Sequence, residues 1–289
     1  MKSILNSILL GILGLAIAVM TTGSLSSAIA TQPPWQLAQR APRIVYVRRE
    51  VSGPPAGGRY RGGGSRGIGS QAVCPTTPVP LTALVPFEEI YDKTREKLPP
   101  LVNVWGFTTA ERPTFWVYNP YNNSAIPAKF SIDDESAGQT LYETSVTLPK
   151  QPGVMALRLS NSAPVLQPGK RYRWFLSLTC KAPTATAAGT DNINVEAVVI
   201  RELPKPELTS QLTATPSLQN AIAYAKAGFW YDALTILAEL RQKQPQDETL
   251  KTAWKELLSG VALDNLTPTS ERSRQNFSLE TISSQPVVN

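Results

Sequence analysis

Histidine is absent from all 289 residues. Its absence excludes a Ser/His/Asp triad, a Cys/His dyad, histidine metal ligands and histidine acid-base work. Cysteine is scarce, with only Cys74 and Cys180. Two thiolates without histidine leave a zinc ion half-coordinated, so no metal or cofactor is expected. Charge is also sparse, at 17% of residues against 42% hydrophobic. Long apolar runs are missing except for Ile8 to Met20, about 13 residues and short of the roughly 20 that span a bilayer. With Lys2 before it and Ala28-Ile29-Ala30 after it, that run matches a secretory signal peptide cleaved after Ala30, an uncleaved anchor being the alternative. Export to the periplasm or beyond is therefore expected, with no transmembrane segment left after cleavage. In an oxidising compartment Cys74 and Cys180 are expected to pair, closing a loop of 106 residues.

What the chain does have is unevenly placed. The formal charge of +6 sits in residues 31–73, where seven arginines face Glu50 alone; the remainder is near neutral. Eight glycines fall between Gly53 and Gly69. So few apolar residues remain there that 31–73 reads as a disordered basic linker. The stretch Arg59 to Gly67 is no phosphate loop, because it lacks the Lys-Ser/Thr pair opening a helix. Arg59, Arg61 and Arg66 are candidate contacts for an anionic polymer, and export favours wall polysaccharide or lipid headgroups over nucleic acid. A spacer kept soluble by its charge is the simpler reading.

Residues 74–203 have the pattern of a β-sandwich. Val85 to Lys97 reads as a short helix or an irregular lead-in. Short alternating runs of β-branched and aromatic residues then place strands near 102–107, 114–118, 128–133, 140–148, 153–159, 172–180 and 194–201. Leu166-Gln167-Pro168-Gly169-Lys170-Arg171-Tyr172 has the form of a tyrosine corner, found in immunoglobulin-like and fibronectin-like sandwiches. Tyr172, Trp174, Leu176, Leu178 and Cys180 then share one strand face by period two. On the strand 114–118 both faces are bulky. One set must be core, and the other either packs beneath the helices or stacks on a sugar ring, which makes Trp116, Tyr118 and the nearby Tyr121 candidate ligand contacts.

After a linker at 204–214 the period changes from two to 3.6. Thr215 is placed to cap a helix carrying Leu218, Ala221, Ile222 and Ala225, which ends at Gly228. A second helix carries Ala233, Leu234, Leu237 and Leu240, and Asp247 caps a third with Leu250, Trp254, Leu257 and Leu258. The first two match the tetratricopeptide pattern at Gly228, Trp230, Ala233, Leu234 and Pro245. One such repeat needs support from elsewhere, so 215–263 is expected to lean on the sandwich, its own third helix or a partner. Residues 264–289 read as a disordered tail.

Several segments together resemble one family: Gly63 to Gly67, Leu81 to Pro86, Pro113 to Tyr121, Leu166 to Trp174 and Tyr224 to Leu234. The chain resembles, over roughly residues 50–260, the cyanobacterial exported family known as domain of unknown function 928. That resemblance implies an envelope or secreted location and no activity, cofactor or catalytic residue. The expected fold is mainly β with α, a sandwich followed by a small helical unit. The expected function is a non-enzymatic binding or scaffolding module of the periplasm or cell surface. Its partner is cell-wall polysaccharide or another envelope protein. One alternative is a carboxylate-dependent glycan-cleaving enzyme, for which only the adjacent acids Asp133, Asp134 and Glu135 offer themselves; a solvated turn is the simpler reading of these. The other is a helical docking module using Phe229, Trp230 and Trp254.

Overall fold

A computed structural model describes residues 42–62, 74, 75, 77–91, 94, 99–181, 190–266 and 278–282. The expected signal peptide and its expected cleavage site after Ala30 lie outside the described residues, as does Arg66. The strands are β1 (Thr82–Ala83), β2 (Phe87–Ile90), β3 (Leu101–Thr108), β4 (Thr114–Asn119), β5 (Ala128–Asp134), β6 (Gln139–Val146), β7 (Gly153–Leu159), β8 (Arg171–Lys181) and β9 (Thr190–Arg201). Helices α1 (Pro206–Thr209), α2 (Leu218–Lys226), α3 (Trp230–Lys243) and α4 (Glu248–Ser259) follow, and β10 (Ser278–Ile282) comes last. One sheet runs β1-β4-β7-β10 and the other β2-β3-β9-β8-β5-β6. Pairing is antiparallel except for β3 with β9 and β7 with β10. The lead-in expected as helix or coil is instead the strand β2, paired with β3 through Phe87 opposite Val104.

The inner faces of the two sheets make one core. On β8 burial alternates residue by residue, and Tyr172, Trp174, Leu176, Leu178 and Cys180 all point inward. Each large apolar side chain so buried contributes about 1.5–3 kcal/mol. At the corner before β8, the Gln167 N–H donates to Tyr172 Oη at 2.9 Å, which fixes the strand's entry. Cys74 and Cys180 form a disulfide with Cα atoms 5.2 Å apart.

The helices share this core. Helix α3 lies against β3 of one sheet and β4 of the other. Its first residues, Trp230 and Tyr231, are fully buried, and Gly106 on β3 makes room for them: a Cβ there would come within 2.9 Å of the Tyr231 ring. Three indole N–H groups bridge helix and sheet, from Trp230 to Leu84 O (2.7 Å), from Trp116 to Thr235 Oγ1 (2.9 Å) and from Trp174 to Tyr231 Oη (2.9 Å). Ser217, not Thr215, caps α2 by accepting from Asn220 N; Asp247 caps α4 as expected, accepting from Thr249 and Leu250 N–H. The stretch 204–214 contains α1, whose Leu208 is buried. The tail adds a short 3-10 turn at Asp264–Leu266, with Leu266 buried, and β10.

The largest departure from expectation is the segment 42–62. Within the expected disordered linker 31–73 these residues are ordered, while 31–41 and 63–73 lie outside the described residues. Ile44, Ala56 and Tyr60 are buried. Val47 N–H donates to Ala225 O, Arg59 and Glu196 exchange both backbone hydrogen bonds, and Gly62 N–H reaches Leu81 O. Tyr60 stacks on Phe87 with centroids 3.6 Å apart. Glycine and proline content argues for a high entropy cost of ordering. Here a ladder of backbone hydrogen bonds and a few buried side chains offset that cost.

Candidate functional site

The outer face of the larger sheet carries a second apolar cluster of Trp105, Phe107, Val198 and Ile200. Leu208 of α1, Ala223 of α2, Phe229 and Ala56 cover it. Where α1, the end of α2 and the 42–62 segment converge over this cluster, a surface cleft of about 360 Å³ opens. Leu208, Ala223, Ala227 and Phe229 give it apolar lining. Arg49, Glu202, Lys205, Glu207 and Lys226 supply charge.

Arg49 is the fixed charge of the cleft. Its guanidinium lies 4.0 Å from the Phe107 ring centroid and 5.3 Å from that of Phe229, and it pairs with Glu202 at 2.5 Å. Its backbone carbonyl accepts from the Trp105 indole at 2.9 Å. Its stem crosses Gly228, where φ is +81° and an added Cβ would meet Arg49 Cδ at 2.3 Å. Glycine is thus required there twice over, by the left-handed turn into α3 and by the arginine lying on it. Lys205, Lys226 and Glu207 are exposed and carry no ion pair among the described residues. Leu203 stands on the rim at 62% exposure.

A smaller cavity of about 180 Å³ lies beside the first turn of α3. Asp232 lines it and accepts from Thr109 N–H at 3.0 Å and from Thr109 Oγ1 at 2.5 Å. Burial raises its pKa, and the bonds from Thr109 oppose that rise. These contacts tie the β3–β4 connection to α3.

Of the described residues singled out from sequence, Phe229 lines the larger cleft and the others fall elsewhere. Trp116 is 1% exposed and lies under α3, so it offers no ring face to a sugar; Tyr121 is buried and Tyr118 half-buried. Both faces of β4 are covered, Phe115 packing on Phe130 and Trp174 inside the sandwich. Phe229, Trp230 and Trp254 are all buried; Phe229 lines the cleft, whereas Trp230 and Trp254 belong to the main core. Arg59 is exposed but its backbone is paired with Glu196, and Arg61 forms a bridge to Thr82; the two are held on the sheet rather than on a free arm. Of the three adjacent acids, Asp134 accepts from Ser136 and from Lys170 at 3.0 Å, and Glu135 lies between Arg171 (2.8 Å) and Arg173 (2.5 Å). The Ser136 hydroxyl, then Lys170, hold the Asp134 carboxyl well below the usual carboxylate range. Among the described residues no group of three His, Cys, Asp or Glu side chains is placed to hold a metal ion. No described helix is long and apolar enough to cross a membrane. The cleft itself was missed; its one sequence signal was the turn Ala227-Gly228-Phe229, and nothing in the sequence brought Arg49 to it.

These features define a class, the two-sheet β protein with a helical cap packed into its core and a mixed-charge cleft on its outer face. Over residues 61–270 the chain matches the family model described as Domain of Unknown Function (DUF928), and it belongs to that family. No curated protein and no solved structure matches the chain.

Proposed function

We propose that the chain is an exported, non-enzymatic binding or scaffolding module of the periplasm or cell surface, and that its cleft receives an acidic, aliphatic segment of another envelope protein. The observation that carries this reading is the apolar lining flanked by Lys205 and Lys226, two exposed cations without an ion pair among the described residues, against the single unpaired acid Glu207. A ligand bringing carboxylates on an aliphatic body covers that lining and pairs both lysines. The signal-like run Ile8 to Met20 and the Cys74–Cys180 bridge support export. Against catalysis by the adjacent acids, Asp134 and Glu135 are occupied by cationic partners. Against polysaccharide stacking, Trp116 and Tyr121 are buried.

Two finer readings of the fold belong to the same proposal. The sandwich is immunoglobulin-like: β3 runs parallel beside β9, the order β9-β8-β5-β6 continues that sheet, β4 pairs β7 in the other, and Tyr172 closes its corner. The pair α2–α3 is tetratricopeptide-like, with Gly228 at the turn and Trp230, Ala233 and Leu234 buried.

The test is calorimetric titration of the mature chain with two acetylated decapeptides, one alternating Leu and Glu, the other Leu and Lys. The acidic peptide is expected to bind, more weakly as salt rises, and the double variant Lys205→Glu/Lys226→Glu is expected to prefer the basic one. Equal affinity for both peptides in the wild type, or no binding of either, would overturn the reading.

A further inference from the structure

The smaller sheet ends on a strand borrowed from far along the chain. Strand β7 pairs with β4 on one side over six residues. On its other side the neighbour is β10, parallel and in continuous register from Ser278 opposite Met155 to Ile282 opposite Leu159. Without β10, β7 would be an edge strand with a row of unpaired backbone groups, the kind of edge that templates pairing with another chain. Beyond β7, β10 also lies near β6 of the other sheet.

Eleven residues separate Leu266 from Ser278, enough chain to span at most about 40 Å. Strand β10 also lies beyond residues 61–270, the part that matches the family, so the family-matched part contains the acceptor edge but not the strand that fills it. A strand joined through a connection of this length and an acceptor edge complete in every copy are the ingredients of strand exchange. On exchange the five backbone registers made in one chain are remade between two, so no pairing is lost. A connection of eleven residues keeps the local strand at an effective concentration of about millimolar order, which sets the range where a second copy competes.

We propose that the outer edge of β7 is a strand-acceptor site that also takes β10 of a second copy, so that copies of this chain associate by exchanging β10. Reciprocal exchange closes a dimer, and one-way exchange links further copies in series. This inference is independent of the cleft and its ligand.

The test uses the full mature chain with its native disulfide. Arg158 and Thr281 are register partners, so Arg158→Cys and Thr281→Cys are made separately and together. The double variant under mild oxidation is expected to close a bond at monomer mass at low concentration. An equimolar mixture of the two single variants is expected to give a covalent band at twice the monomer mass, increasing with concentration. A mixture in which Asn122→Cys, on an exposed loop, replaces Arg158→Cys sets the background. No band above that background, or a double variant whose thiols stay free, overturns the proposal. Because Arg158→Cys also removes an ion pair to Glu239, light scattering of the unsubstituted chain is the second measurement. Dimer is expected near millimolar concentration for the full chain and not for one ending at Leu266; dimer in both, or in neither, overturns it.

Discussion

Asp134 shows how an acidic residue that invites a catalytic reading is absorbed by structure. It accepts from the Ser136 backbone and hydroxyl and from Ala137 N–H, shaping the β5–β6 turn, and Lys170 closes over it. Its folded pKa is depressed by the Ser136 hydroxyl and then by Lys170, so its contribution to stability is fully present above the unfolded value, about 3.9, and is lost as pH falls through the lower folded value. Asp232 has the opposite sign: burial raises its folded pKa, so the stability it carries is present at low pH and declines as pH rises through that value. The raw pH curve mixes the two, and only a difference isolates one. We therefore expect Asp134→Asn to be less stable than wild type at pH 6, with the gap narrowing steadily between pH 4 and pH 2. Urea midpoints measured across that range check it, and a gap independent of pH would remove the carboxylate from the account.

At the scale of elements, the legible parts were those whose signal is local. Seven strands, the Tyr172 corner, the cap at Asp247 and the alternation along β8 all follow from period, turn residues and spacing within a dozen positions. What the sequence withheld was which face meets which. Trp116, Trp230 and Trp254 are the same residue type whether they are displayed or buried; the burial of the first two is decided by α3 lying on β3 and β4, and that of Trp254 by α4 packing on α3. The 42–62 segment was illegible for a related reason: its order comes from hydrogen bonds to residues as distant as Ala225 and from Arg49 resting on Phe107 and Phe229. The same interlocking predicts that the helices do not stand alone. Trp230 and Tyr231 fill the sandwich core, so a peptide spanning 205–266 would expose both rings and lose three indole hydrogen bonds across the seam. Its circular dichroism is expected to be that of a largely unfolded chain, whereas the full protein is cooperative. A folded, monomeric peptide would mean that α2, α3 and α4 are an autonomous unit.

For the whole molecule, the question is what keeps an N-terminal strap, two sheets and a helical cap in one cooperative structure. The bridge from Cys74 to Cys180 joins the residues just before β1 to the end of β8, and the loop it closes contains β1 to β7 and most of β8. Closing a loop of 106 residues restricts the unfolded chain by up to about 4–5 kcal/mol in the chain-entropy model. Because Cys74 lies between the 42–62 segment and β1, the bridge also anchors the strap near the sheet it crosses. Strap and bridge then act on the same unfolded state. The double variant Cys74→Ser/Cys180→Ser is expected to melt roughly 10–15 °C lower than the oxidised protein, and wild type scanned with reductant is expected to match it. The strap is expected to loosen first, because its cover of Phe107 and Phe229 depends on one arginine and a few backbone bonds, while the sandwich retains its aromatic core. Hydrogen exchange of Val47 and Arg59 amides, compared with those of Trp174 and Val195, separates the two regions. Equal loss of protection in both would show that the bridge supports the molecule as one body, and an unchanged melting temperature would show that packing alone carries the fold.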